Sequence, residues 1–132
     1  MIFDIKMEDF KRKARLVAGG HKTDAPATMT YASVVSRETV RVALTIAALN
    51  DLEVKAGDVL NAYITAPITE KVWTILGPKF GPDAGKNAVI VRALYGLKSA
   101  GAAFQAHLAS CMRDLGYTSC KADPGPRLMA TT

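Results

Sequence analysis

The sequence predicts an α+β or mixed α/β fold, and three observations point to it. Short β-branched runs are closed by glycine or proline, as in "AVIVRALYG" and "EKVWTIL". Two longer segments carry apolar residues at helical spacing. Their order along the chain is strand, helix, strand, hairpin strands, helix, which sets helices against a mixed sheet. With 132 residues, 49% of them hydrophobic, the chain is long enough for one domain with a core and short for two.

Taken in order, "KARLVAGG" (Lys13 to Gly20) reads as a strand stopped by paired glycines. A loop with Pro26 and several Ser and Thr follows. Ser36 then caps a helix that has Glu38 in its first turn. Val40, Leu44, Ala47 and Ala48 share one face of that helix, and Asn50-Asp51 ends it. "LEVKAGDV" is a strand candidate reaching Asp58, and "LNAY" is one helical turn. "EKVWTIL" (Glu70 to Leu76) alternates as a strand and stops at Gly77-Pro78. "GPDAGKN" links it to the strand that Gly96 closes. From Ala100 a second helix places Phe104, Leu108, Cys111 and Leu115 on one face, with Gly116 as its C-terminal cap. The tail from 121 to 132 is rich in Pro and Gly and reads as loose, with no further strand after the second helix.

Charge and cysteine content narrow the function classes. Lys and Arg total 17 against 12 Asp and Glu, a net charge of +5 that leans toward a polyanionic partner. Lys6, Lys11, Arg12, Lys13, Arg15 and Lys22 crowd the first stretch. The two cysteines, Cys111 and Cys120, lack a CxxC partner, which argues against a structural zinc site. Cys111 is expected to be a buried thiol, His107 to lie on the exposed side of its helix, and the compartment to be reducing. No signal peptide or membrane span is legible, since charge begins almost at once and "VALTIAAL" is too short to cross a bilayer. There is no GxxxxGK[ST] loop, no GxGxxG and no Ser-His-carboxylate set. His21, beside Gly19-Gly20, is either a phosphate contact or a surface residue.

Asp58 leaves two readings open. A carboxylate at a strand end can hold a hard divalent ion with help from a neighbouring carbonyl. It can equally cap a helix, with Tyr63 as a core aromatic. Asp114 and Asp123 are not placed by the sequence as further ligands.

"KARLVAGG", "YASVVSRETVRVALTIAALNDLEVKAGDVLNAYITAPITEKVW" and "VRALYGLKSAGAAF" resemble the reverse transcriptase of copia-like retrotransposons, over about Lys13 to Pro124. The resemblance implies an RNA-directed DNA polymerase of right-hand architecture, of which this chain would be the fingers and an incomplete palm, a single domain over residues 1–132. By that resemblance Asp58 is the first catalytic aspartate and a Mg2+ ligand, and Val59 adds its carbonyl to the same ion. Lys13 and Arg15 would hold the triphosphate. Tyr63 would lie beneath the incoming sugar and disfavour a 2′-hydroxyl. Tyr95, Gly96 and Lys98 fall in the "LYGLK" box along the nucleotide pocket and template, and Lys11, Arg12 and Lys22 would meet nucleic acid. The residues alone also fit a half-exposed strand at Lys13 and Arg15, a core ring at Tyr63, and a strand end at Tyr95-Gly96.

The sequence departs from the family where Phe104 stands in place of a tryptophan, where the proline and arginine after "LYGLKS" are absent, and where "TYAS" lacks its following proline. The "YxDD" box does not occur. These features predict a chain that does not polymerise alone and that binds nucleic acid weakly and without sequence preference. Its partners in a longer parent would be RNA/DNA primer-template and deoxynucleoside triphosphate, in an intracellular setting, cytoplasmic or nuclear or within a retrotransposon particle. Two other classes compete: a non-enzymatic nucleic-acid-binding remnant, and a structural domain that associates into a homodimer through an exposed sheet edge.

Overall fold

The first strand is one that composition hides. Residues Ile2–Lys6 (β1) pair antiparallel with Lys11–Arg15 (β2), in the register Ile2↔Arg15, Asp4↔Lys13 and Lys6↔Lys11. The computed structural model describes residues 2–27, 29–119 and 128–130. Because side chains alternate across a strand, Lys11, Lys13 and Arg15 share one face of this hairpin with Asp4 and Lys6. Arg12 points to the other, with Phe3 and Ile5. The expected strand over "KARLVAGG" is thus shifted toward the N-terminus. Its second half keeps only a parallel bridge, Val17↔Tyr95, before a 3-10 turn at Gly20–Lys22.

Ser36 caps helix α1 (Arg37–Leu49), its Oγ accepting the Thr39 backbone N–H at 3.2 Å. The helix ends in a Schellman-type closure. Asp51 adopts φ +51 and the Leu52 N–H donates to the Ala47 carbonyl at 2.9 Å. The segment after it, Leu52 to Val59, forms no strand. This corrects the strand expected to end at Asp58. Alternation in "LEVKAGDV" is not enough without a partner strand, and none lies beside it among the described residues.

A single helical turn, α2 (Ala62–Thr65), leads into β3 (Pro67–Ile75), which pairs antiparallel with β4 (Asn87–Arg92). The link "GPKFGPD" folds as a 3-10 segment over Pro78–Asp83. Helix α3 (Ala100–Asp114) follows. Gly116 (φ +87) donates its N–H to the Arg113 carbonyl, the expected glycine cap. Beyond it β5 (Tyr117–Ser119) pairs with β6 (Leu128–Ala130), so a strand does follow the second long helix and part of the tail is ordered into it. The remaining tail and Cys120 lie outside the described residues.

The α+β class is therefore seen, but not the mixed sheet. Among the described residues the strands form three separate two-stranded antiparallel sheets. The core is small and rich in alanine: Ala66, Ala93, Leu97 and Ala100 are buried, with Tyr63, Ile68, Val72, Ile90, Leu94 and Phe104 packed around them. Small side chains let α2, β4 and α3 approach closely, and the Ala93 N–H reaches the Ala66 carbonyl at 2.9 Å. Helix α1 differs from expectation, since among the described residues no other helix or strand packs extensively along it. Of its predicted apolar face only Ala47 is buried, while Leu44 remains half exposed. Cys111 is exposed rather than buried, with Sγ 3.8 Å from Nε2 of a half-buried His107 one helical turn earlier. No helix among the described residues is long and apolar enough to cross a membrane.

Candidate nucleotide and nucleic-acid site

Two glycines bring distant segments together. Gly96 has φ +92, and a side chain there would overlap the Ala18 carbonyl oxygen and meet Val17 Cγ1 at 2.8 Å. A side chain on Gly20 would overlap the Gly96 carbonyl oxygen in turn. With both positions bare, the Ala18 N–H donates to the Tyr95 carbonyl at 2.7 Å. The stretch after β2 is thereby fixed against the stretch after β4.

This junction gathers several of the predicted residues. The Arg15 guanidinium carbon stands 6.0 Å from the Tyr95 ring centre, at the outer limit of a cation–π contact. The Tyr95 and Tyr63 rings are 4.6 Å apart and tilted at 53°, and the Phe104 ring meets Tyr63 edge-on at 6.0 Å. A row thus runs from an exposed cation through a partly exposed ring to a half-buried one. Lys13 is exposed on the same hairpin face as Arg15, opposite Asp4. Lys98 donates from Nζ to the Thr23 carbonyl at 2.8 Å, which pins the "LYGLK" segment to the turn holding His21 and Lys22.

The other predicted basic residues are arranged differently. Lys11 pairs with Asp9 at 3.1 Å, and Lys6 reaches Glu8 at 3.1 Å and Asp9 at 3.9 Å. Exposed pairs of this kind hold weakly, so Lys11 is partly compensated at the hairpin turn. Lys13, Arg12 and Arg15 have no ion-pair partner among the described residues.

Asp58 and Val59 stand apart from this cluster. Both are exposed in the irregular stretch between α1 and α2, and the Asp58 carboxylate has no hydrogen-bond or ion-pair partner among the described residues. No group of three or more His, Cys, Asp or Glu side chains there could hold a metal ion. Mg2+ takes six oxygens, and one exposed carboxylate with one carbonyl would leave most of them to water and substrate phosphate. The residues in place do not by themselves fit a metal centre.

Some positioning contacts carry no sequence signal. Ser99 Oγ donates to the Glu70 carboxylate, joining β3 to the start of α3. Gln105 Nε2 donates to Ser33 Oγ at 2.8 Å and to its carbonyl at 3.3 Å. Arg92 reaches the Thr65 carbonyl at 2.9 Å. Each joins segments far apart in the chain, and neither spacing nor residue type marks such a pairing in advance.

Comparison with known proteins identifies the family. The family described as reverse transcriptase (RNA-dependent DNA polymerase) matches residues 2–127. Two curated relatives from Arabidopsis thaliana are retrovirus-related Pol polyproteins. That from transposon RE1 is 29% identical and that from transposon RE2 27% identical, each over 115 residues. The match covers 84% of this chain but only 8% of either relative's length. No solved structure matches the chain significantly. With nearly its whole length inside the family's boundaries, the chain belongs to the reverse transcriptases (RNA-dependent DNA polymerases) of retrotransposon type.

Proposed function

We propose that this chain is the nucleotide- and template-facing portion of an RNA-directed DNA polymerase, corresponding to fingers and part of a palm. The observation that carries the reading is the junction at Gly20 and Gly96. It brings Arg15, Tyr95 and Tyr63, from three separate segments, into one row. A row of cation, exposed ring and half-buried ring suits a deoxynucleoside triphosphate, with phosphates toward Lys13 and Arg15 and sugar and base toward the tyrosines. In the parent, Asp58 and the Val59 carbonyl would contribute two donors toward a Mg2+ ion that other residues would have to complete, and such an ion would neutralise charge at the phosphates. Lys98, Lys22, Lys11 and Arg12 contribute to the backbone contacts with primer-template that the charge of +5 favours.

The isolated chain is proposed to be inactive in polymerisation while keeping weak, sequence-independent affinity for nucleic acid. Two assays test this. Primer extension with deoxynucleotides and Mg2+ is expected to show no incorporation, and incorporation that Asp58→Ala abolishes would contradict that part. Fluorescence anisotropy of a labelled primer-template is expected to show affinity falling steeply with salt, because neutralised phosphates release counterions. Binding indifferent to salt would overturn the nucleic-acid reading.

Self-association is a second reading that one observation favours. On β3 and β4 the face away from the core leaves Trp73 63%, Ile75 69% and Val91 67% exposed, an apolar surface of the kind another chain covers. Light scattering over a concentration range is expected to show dimer growing in; a monomer at every concentration contradicts it.

A further inference from the structure

We propose that His107 and Cys111, on one face of α3, form a two-ligand site for a thiolate-preferring divalent cation of the zinc class. The site is separate from Asp58 and from the Arg15–Tyr95–Tyr63 row, and it does not depend on the function proposed above.

Spacing and geometry come first. Residues four apart on a helix are neighbours on the same face, the arrangement by which the two histidines of HExxH hold zinc. Here the pair is a histidine and a cysteine within Ala100–Asp114. The side chains already face each other, with Sγ 3.8 Å from Nε2. A zinc ion at its usual bond lengths to sulfur and nitrogen, with a tetrahedral angle between them, sets those two atoms about 3.6 Å apart. The observed separation therefore asks only a small adjustment of one side chain. Cys111 is exposed, so an ion reaches it from solvent. His107 is half-buried, which restricts its ring.

Ligand chemistry chooses the ion. Thiolate and imidazole together suit zinc and its softer analogues, whereas Mg2+ takes oxygen ligands. Neutral His107 offers the Nε2 lone pair when its ring proton sits on Nδ1. The thiol proton passes to solvent as the sulfur–metal bond forms. Asp114 follows Cys111 by three residues, but no group of three His, Cys, Asp or Glu side chains among the described residues could hold an ion. Two positions of the tetrahedron are thus left to water, unlike a structural zinc site closed by four protein ligands. A nucleophilic role for the pair fits less well. The base of such a pair is oriented by a third group, and His107 has no other hydrogen-bond partner among the described residues. An ion bound to both side chains joins adjacent turns of the helix that carries Ala100 and Phe104 into the core, so binding stabilises the fold.

The test uses the full chain, kept reduced without added thiol, in a Cys120→Ser background that leaves Cys111 as its single thiol. Cd2+ is the optical probe, because a cadmium–thiolate bond adds ultraviolet absorption. That absorption is expected to saturate at a single ion per chain and to vanish in Cys111→Ser. His107→Gln is expected to weaken Cd2+ binding by at least about 10-fold. Zn2+ is expected to displace Cd2+ and raise the melting midpoint, while excess Mg2+ does neither. Cys111→His restores two ligands at the same spacing and is expected to keep the Zn2+-induced rise without the absorption, which separates chelation from a folding defect. Cd2+ affinity unchanged by His107→Gln overturns the proposal. So does absorption that survives Cys111→Ser, or an equal Zn2+-induced rise when both ligands are replaced.

Discussion

The glycine junction and the Asp58 segment are the two ends of one proposed site, and they are built by opposite physics. At the junction, Gly20 and Gly96 clear the way for backbone contact, and Ala66, Ala93, Leu97 and Ala100 are buried with Tyr63 packed against them. Around Asp58 every residue from Asp51 to Asn61 is exposed, and no strand or helix holds it. The nucleotide end is therefore fixed by the chain's own packing. The metal end has geometry only insofar as something else supplies it. A site of this kind can keep affinity for a nucleotide or a strand while lacking the chemistry.

The largest effect that would break this contrast is expected from Gly96→Ala and Gly20→Ala. Each puts a methyl group into a backbone carbonyl, so each should cost about 3 kcal/mol or more. Denaturant melts followed by near-ultraviolet circular dichroism would show it. A near-normal melt for either variant would mean that the junction is not tight. Next comes Tyr63→Ala, which removes a half-buried ring touching Tyr95 and Phe104. A loss of about 2 kcal/mol is expected, below that of a fully buried aromatic, with Tyr63→Phe close to neutral. A neutral Tyr63→Ala would place the ring outside the core.

These two predictions mark what the sequence made legible. Both long helices, the Ser36 cap and the Gly116 stop were readable, because capping and apolar spacing are local signals. The Asp58 strand was misread because alternation marks a strand only when a partner exists, and pairing is a property of the whole chain. β1 was missed because its apolar residues sit among charges at the start of the sequence. Of the candidate site, the choice of Arg15, Tyr63 and Tyr95 was legible only as an expectation from family resemblance. Their meeting was not, since it depends on two carbonyl–glycine approaches across some seventy-five residues, counted from Gly20 to Gly96.

Smaller effects sharpen the comparison. Arg15→Ala and Lys13→Ala should leave stability nearly unchanged, since both side chains are exposed. Each should weaken primer-template binding and reduce the slope of log K against log salt by about 1. Lys11→Ala should do less, because Asp9 already occupies that ammonium. A larger effect at Lys11 than at Arg15 would move the binding face to the hairpin turn. The smallest effect is expected at Asp58→Asn. An exposed, unpartnered carboxylate should change stability by no more than about 0.5 kcal/mol, and a larger shift in the melt would reveal a structural partner.

The central claim is that the Arg15–Tyr95–Tyr63 row is a nucleotide-binding surface, and one titration addresses it directly. Amide resonances of the isotopically labelled chain can be followed as a deoxynucleoside triphosphate is added. The account predicts saturable shifts concentrated at Lys13, Arg15, Tyr63, Tyr95 and Gly96, and their loss in Arg15→Ala. Shifts confined to other surfaces, or a spectrum unchanged at saturating nucleotide, would contradict it.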